Sequence, residues 1–201
     1  SGATLAAIAR VALEHGLTGF EFAAGIPGSL GGAIVMNAGA YDGEMKQVVE
    51  SVRLITPEGE IVTKSCEEMK FAYRHSILKE KSYLVLSVVI KLEKGEQEHI
   101  KARMDELAMK RREKQPLEYP SAGSTFKRPE GYFAAKLIQD AGLRGFLVGG
   151  AQVSEKHCGF VINRENATAQ DIHELMKQVQ HRVQDAFGVK LEPEVIRLGE
   201  F

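Results

Sequence analysis

The chain has 201 residues, 44% hydrophobic and 26% charged, the balance of a soluble globular protein with room for one or two domains. A formal net charge of −1 excludes broad attraction to nucleic acid or to an anionic membrane surface, so any phosphate recognition has to be local. Cys66 and Cys158 lie too far apart in sequence for a metal-ligand spacing or a disulfide framework. With no apolar run long enough to span a bilayer and no signal-peptide pattern at the N-terminus, they predict a cytoplasmic protein without membrane insertion.

The elements follow in chain order. Residues 3–15 read as a helix, because Leu5, Ile8, Ala9, Ala12 and Leu13 recur at helical spacing and Gly16 stops the run. Residues 19–43 are rich in glycine around an apolar segment, Ala33-Ile34-Val35-Met36. Residues 49–63 read as a β-hairpin with Thr56-Pro57-Glu58-Gly59 as its turn, and residues 83–92 as a buried strand. Lys94-Gly95-Glu96 marks a domain junction. Residues 97–112 form a charged amphipathic helix with Ile100, Met104, Leu107 and Ala108 on one face; its basic end suits a helix C-terminus on macrodipole grounds alone. Residues 131–141 look helical, and 151–153 and 159–163 look like short strands. Residues 168–187 form a second amphipathic helix that turns Ile172, Leu175, Met176, Val179 and Val183 inward, with Thr168 and Asp171 as a capping box and Gly188 as its stop. A final strand is expected over 191–198. The mixture predicts an α+β fold.

Four segments carry candidate chemistry. Closely spaced glycines in Gly25-Ile26-Pro27-Gly28-Ser29-Leu30-Gly31-Gly32 expose backbone N–H groups and admit a phosphate or a flat ring, although the segment is neither a P-loop nor a dinucleotide fingerprint. In Tyr73-Arg74-His75-Ser76, the planar fork of Arg74 suits a carboxylate; without context it reads as a surface salt-bridge arginine. Tyr119-Pro120-Ser121-Ala122-Gly123-Ser124-Thr125-Phe126-Lys127-Arg128-Pro129 places Ser124 after a permissive glycine and before two cations; taken alone it is a proline-bounded surface loop. Glu192-Pro193-Glu194 is by itself a polar strand entrance. His157 alone reads as structural or exposed, and no triad or zinc-like cluster is apparent.

Taken in this order, the four segments closely resemble the UDP-N-acetylenolpyruvoylglucosamine reductases of bacterial cell-wall synthesis, from about Gly2 to the C-terminus. The resemblance implies a FAD flavoprotein that takes hydride from NADPH and reduces UDP-N-acetylglucosamine enolpyruvate to UDP-N-acetylmuramate. It implies that residues 1–95 are the second lobe of a two-lobed FAD-binding domain, that 96–195 are a small α+β substrate-binding domain, and that 196–201 return towards the flavin domain. A first flavin lobe, with its pyrophosphate loop, is not among these residues. By the same resemblance Gly25, Ile26, Gly28, Ser29, Gly31, Gly32, Asn37 and Gly39 neighbour FAD, with Tyr41 nearby. Arg74, Ser124 and Glu194 are the catalytic residues, and Tyr73, Lys114, Arg128 and His157 are substrate contacts. Many members have Asn where this chain has Arg128, which puts an amide contact there in doubt. The run from Lys94 to Pro120 has no room for the lid insertion of some members, so the chain looks like the shorter subtype.

The implied chemistry accounts for the residue types. Hydride added to the terminal alkene carbon leaves charge at C2 and on the adjacent carboxylate. Arg74 can stabilise that charge, Glu194 can help in its protonated form, and Ser124 can return a proton to C2. Two alternatives stay open at this point: another FAD-dependent oxidoreductase of the same superfamily, or an inactive fragment that binds only UDP-sugar.

Overall fold

A computed structural model describes residues 1–199. Its elements run in the order α1 (Leu5–Glu14), β1 (Leu17–Thr18), α2 (Leu30–Met36), β2 (Gly39–Ala40), β3 (Gly43–Glu44), β4 (Val49–Ile55), β5 (Ile61–Ser65), β6 (Leu84–Ile90), β7 (Glu93–Lys94), α3 (Gln97–Lys114), β8 (Ser121–Ser124), α4 (Ala134–Asp140), β9 (Leu147–Val148), β10 (Ala151–Val153), β11 (Phe160–Asn163) and α5 (Ala169–Phe187). This is the α+β mixture expected. The chain divides into two compact units, 1–111 and 112–201. The division falls within α3, later than the Lys94-Gly95-Glu96 junction read from the sequence. Among the described residues no helix is long and apolar enough to cross a membrane.

The first unit is built on the antiparallel sheet β5-β4-β6. Its core gathers Leu5 and Ala9 of α1, Ile34 of α2, and Val52 and Leu54 of β4 around Phe20, Met45 and Met69. Thr4 caps α1 by accepting from Ala7 N at 3.2 Å, and Ser29 caps α2 by accepting from Gly32 N at 3.3 Å. β2 and β3 form a hairpin whose two turn residues, Tyr41 and Asp42, both have positive φ, the geometry that matches strand twist. Gly43 is required there, because a Cβ would overlap the Phe22 ring; a Cβ at Gly39 would meet the Gly43 carbonyl.

One expectation fails in this unit. β6 is an edge strand, with Leu84 and Val89 at 69% and 51% exposure. The central strand β4 takes the buried positions instead. A continuous apolar run does not by itself distinguish an edge strand from a central one.

The second unit packs α4 and α5 with the antiparallel sheet β8-β11-β10-β9. Leu175, Met176, Val179 and Val183 of α5 are buried among Leu137, Ile138, Ala151 and Val153, as the periodicity predicts, while Ile172 is partly buried. The capping box is formed: Thr168 Oγ1 accepts from Asp171 N at 3.1 Å, and Asp171 Oδ2 accepts from Thr168 N at 2.9 Å. The strand expected over 191–198 is absent. Only an isolated bridge joins Pro193 to Phe126, flanked by the bonds Glu194 N to Thr125 O and Lys127 N to Glu192 O, and no further pairing among the described residues continues it. Of the expected C-terminal segment 196–201, residues 200 and 201 lie outside the described residues.

Candidate active site

In the first unit the glycine-rich segment becomes an irregular stretch leading into α2. Gly25, Gly28 and Gly32 are exposed, and a Cβ on Gly28 would meet open space. Ile26 packs partly into the core. The backbone donors are less available than the sequence suggests. Leu30 N donates to Ala3 O at 2.8 Å, Gly31 N to Ser1 O at 2.9 Å, and Gly32 N to the Ser29 hydroxyl. The start of the chain thus takes donors in the first turn of α2 that a phosphate would need. The exposed glycines fit close approach by a flat group. Arg111 donates to the Gly25 carbonyl, and Gly25, Tyr41 and Arg111 line one cleft of about 210 Å³. That is below the ~300–1,000 Å³ usual for small-molecule sites.

Asn37 ends α2 in the left-handed region, with φ 44°, and is 2% exposed. Both N–H bonds of its amide are taken, by Glu44 Oε2 at 2.9 Å and Ala72 O at 3.2 Å, and its oxygen accepts from Lys46 N at 2.9 Å. The hairpin gives Gly39 a steric reason of its own.

Tyr73 and Arg74 form the tip of a tight turn. Ala72 and His75 exchange backbone hydrogen bonds of 3.1 and 3.0 Å around them. Arg74 has φ 53°, an uncommon conformation for a residue with a side chain. Its guanidinium lies 5.0 Å from the centroid of the Tyr73 ring. Ser76, fully buried, donates to Val35 O at 2.9 Å.

In the second unit the serine loop is not a free turn. Ser121–Ser124 is strand β8, paired with β11 so that Ser124 faces Phe160, with a register irregularity beside it. Gly123 has φ 84°, which leaves Ser124 exposed at the strand end. The next residue anchors it: Thr125 N donates to Gly159 O at 2.8 Å, and Thr125 Oγ1 accepts from Val161 N at 3.0 Å. The Glu192-Pro193-Glu194 segment runs alongside. Glu194 N donates to Thr125 O and Lys127 N to Glu192 O, both at 2.8 Å, while Lys127 Nζ pairs with the Glu192 carboxylate. The two paired segments are far apart in sequence, yet the Glu194 backbone sits beside the residue that follows Ser124.

Three of the residues expected to contact substrate, Lys114, Arg128 and His157, lie in this second unit. His157 packs edge-on against Phe160 with centroids 5.1 Å apart, and its Nδ1 accepts from Gly159 N at 3.1 Å. Burial, reinforced by the charge of Lys114, pushes the imidazole below its usual range. Lys114 and His157 are therefore electrostatic neighbours. Arg128 stacks on Phe133 at 4.0 Å and donates to Tyr132 O at 3.3 Å, so its fork is oriented by the next turn. Sequence reasoning missed Thr125, Phe133 and the tethers of Asn37 and Ser76. The serine of Tyr-Arg-His-Ser was the one available signal among them.

The second unit thus holds an exposed hydroxyl at a strand end and, paired with the next residue, the backbone of the segment that carries Glu194. With an exposed glycine strip in the other unit, this is a two-unit α+β protein, and its similarity to known proteins makes it one of flavoprotein type. Residues 1–65 match the family model "FAD binding domain", and residues 115–198 match "UDP-N-acetylenolpyruvoylglucosamine reductase, C-terminal domain". The chain is 60% identical over 200 residues to the UDP-N-acetylenolpyruvoylglucosamine reductase of Caldanaerobacter subterraneus, covering 100% of this chain and 66% of that one. It is 60% identical over 201 residues to the reductase of Agathobacter rectalis, covering 100% and 64%. The crystal structure of UDP-N-acetylenolpyruvylglucosamine reductase from Thermus caldophilus matches with a TM-score of 0.82 at 37% identity, over 94% of this chain and 68% of that chain. The chain belongs to the UDP-N-acetylenolpyruvoylglucosamine reductase family, and it spans just under two-thirds of the length of the two curated relatives.

Proposed function

We propose that the protein reduces UDP-N-acetylglucosamine enolpyruvate to UDP-N-acetylmuramate in the cytoplasm, as a FAD enzyme using NADPH in peptidoglycan precursor synthesis. The observation that supports it most is the pairing of the serine strand with the Glu194 segment through Glu194 N and Thr125 O. Bound FAD supplies the hydride. The exposed strip at Gly25, Gly28 and Gly32 would lie against its flat surface, whereas the first-turn donors of α2 are already engaged.

The other steps belong to side chains. Lys114, beside His157, offers a local positive charge to the diphosphate. Arg74 meets the carboxylate next to C2, where negative charge develops, and its fixed fork costs little reorganisation. Ser124 donates its hydroxyl proton to C2, which is basic enough to accept it. Glu194, in its protonated form, donates a hydrogen bond to the enolate from the segment next to the serine.

The test is Ser124→Ala in the full-length protein, followed by stopped-flow flavin absorbance. Reduction of FAD by NADPH should be unchanged. Reoxidation by the enolpyruvyl nucleotide should slow about 10²–10⁴-fold, as expected for loss of a general acid. Ser124→Cys should keep part of the rate, because a thiol also donates a proton. Equal slowing of both half-reactions would remove Ser124 from the role of proton donor.

A further inference from the structure

The turn that carries Tyr73 and Arg74 is tied to the C-terminal end of α2 on both flanks. On one side, the buried Asn37 amide donates to the carbonyl of Ala72, the residue before Tyr73, at 3.2 Å. On the other, the buried Ser76 hydroxyl donates to the carbonyl of Val35, in the last turn of α2, at 2.9 Å. Asn37 is itself fixed by Glu44 Oε2 and Lys46 N, both at 2.9 Å. Glu44 is held in turn by a capping box with Gln47. Between the tethers, Arg74 keeps a positive φ that an unconstrained arginine seldom adopts. A backbone held in such a conformation persists only where its surroundings over-determine it.

We propose that Asn37 and Ser76 are positioning residues that hold the Arg74 turn, and that Asn37 serves the reaction through Arg74 rather than by binding FAD. Both donor positions of its amide are used inside the protein, which leaves it none for the polar atoms of a cofactor. Ser76 has the same purpose from the opposite flank. Glu44 extends the device by one residue, since its carboxylate orients the Asn37 amide.

This inference rests on the reading of Arg74 as the group that meets the substrate carboxylate. A double-mutant cycle in the full-length, FAD-loaded protein separates the two. Ser76→Ala, Asn37→Asp and Arg74→Ala are compared singly and in pairs with Arg74→Ala. Hydrogen exchange of the 72–76 peptide is measured alongside. Ser76→Ala and Asn37→Asp should each keep bound flavin and speed up exchange in that peptide. Each should slow reoxidation by the enolpyruvyl nucleotide by about tenfold or more, because small misplacements of an acting group are costly. In the Arg74→Ala background each should add less than about twofold, since the tethers have lost the group they position.

Full, additive losses in that background would overturn the inference while leaving the role of Arg74 standing. So would loss of flavin in Asn37→Asp, which would return Asn37 to the cofactor. Wild-type reoxidation by Arg74→Ala would instead overturn the reading of Arg74 itself, and the inference with it. Asn37→Asp sets a carboxylate against Glu44; if it does not fold, Ser76→Ala alone decides the outcome.

Discussion

Lys114 and His157 are separated by 43 positions, yet each reports on the other. The imidazole is held below its usual range first by burial and then by the lysine's charge. Lys114→Ala should therefore raise the His157 pKa, seen as a shifted midpoint in an NMR titration of the ring protons; an unmoved midpoint would mean that the two groups do not interact. The same substitution should weaken UDP-sugar binding more than FAD binding. The sign for stability follows from the lowered value. The unfolded chain binds the proton more readily, so stability is whole above the unfolded value near 6.5 and declines as pH falls towards the folded one. The buried thiol of Cys158 is pushed up by burial.

Among the elements, α5 shows most directly how local sequence sets structure. Its apolar spacing places four side chains in the core, and its capping box closes the first turn. Asp171 is pulled below the usual carboxylate range by the Thr168 backbone N–H, then by the Thr168 hydroxyl. The same carboxylate reaches Gly150 N at 3.4 Å, so the cap also steadies the turn between β9 and β10. Thr168→Ala should lower the stability of the second unit by about 1 kcal/mol, the usual cost of a lost N-cap, measured by urea denaturation. A change within about 0.3 kcal/mol would show that the cap is redundant. α3 is the contrasting case. It buries only Ile100 and Leu107 and displays ion pairs such as Lys101–Asp105 at 2.6 Å and Arg103–Glu106 at 2.6 Å. Such exposed pairs contribute little each, and packing of its narrow stripe fixes the helix.

For the molecule as a whole, the important fact is two cores. The core of the second unit is drawn from α4, α5, the four-stranded sheet, Phe126 and Leu191. A unit with its own core can fold alone. Residues 112–201 expressed separately should give a cooperative thermal transition and a dispersed amide NMR spectrum. A molten spectrum would mean that this core needs the rest of the chain. The matches to two different family models, one on each side of the division, agree with this.

Much of this was legible in the sequence because helix periodicity, caps and hairpin turns are local. α1, α5 and the β4–β5 hairpin follow from spacing and from Gly16, Thr168 and Thr56-Pro57-Glu58-Gly59. The motifs around Arg74, Ser124 and Glu194 were visible as residue patterns. Their geometry was not. That β6 is an edge, that the last segment makes only a single bridge to Phe126, and that the donors of α2 are occupied by Ser1 and Ala3 all depend on which distant segments meet. The same holds for Asn37, whose side chain reads as a polar ligand contact until Ala72 is brought against it. Local chemistry is written in neighbouring residues; hydrogen-bond partners far along the chain are assigned only when tertiary packing closes the loops between them.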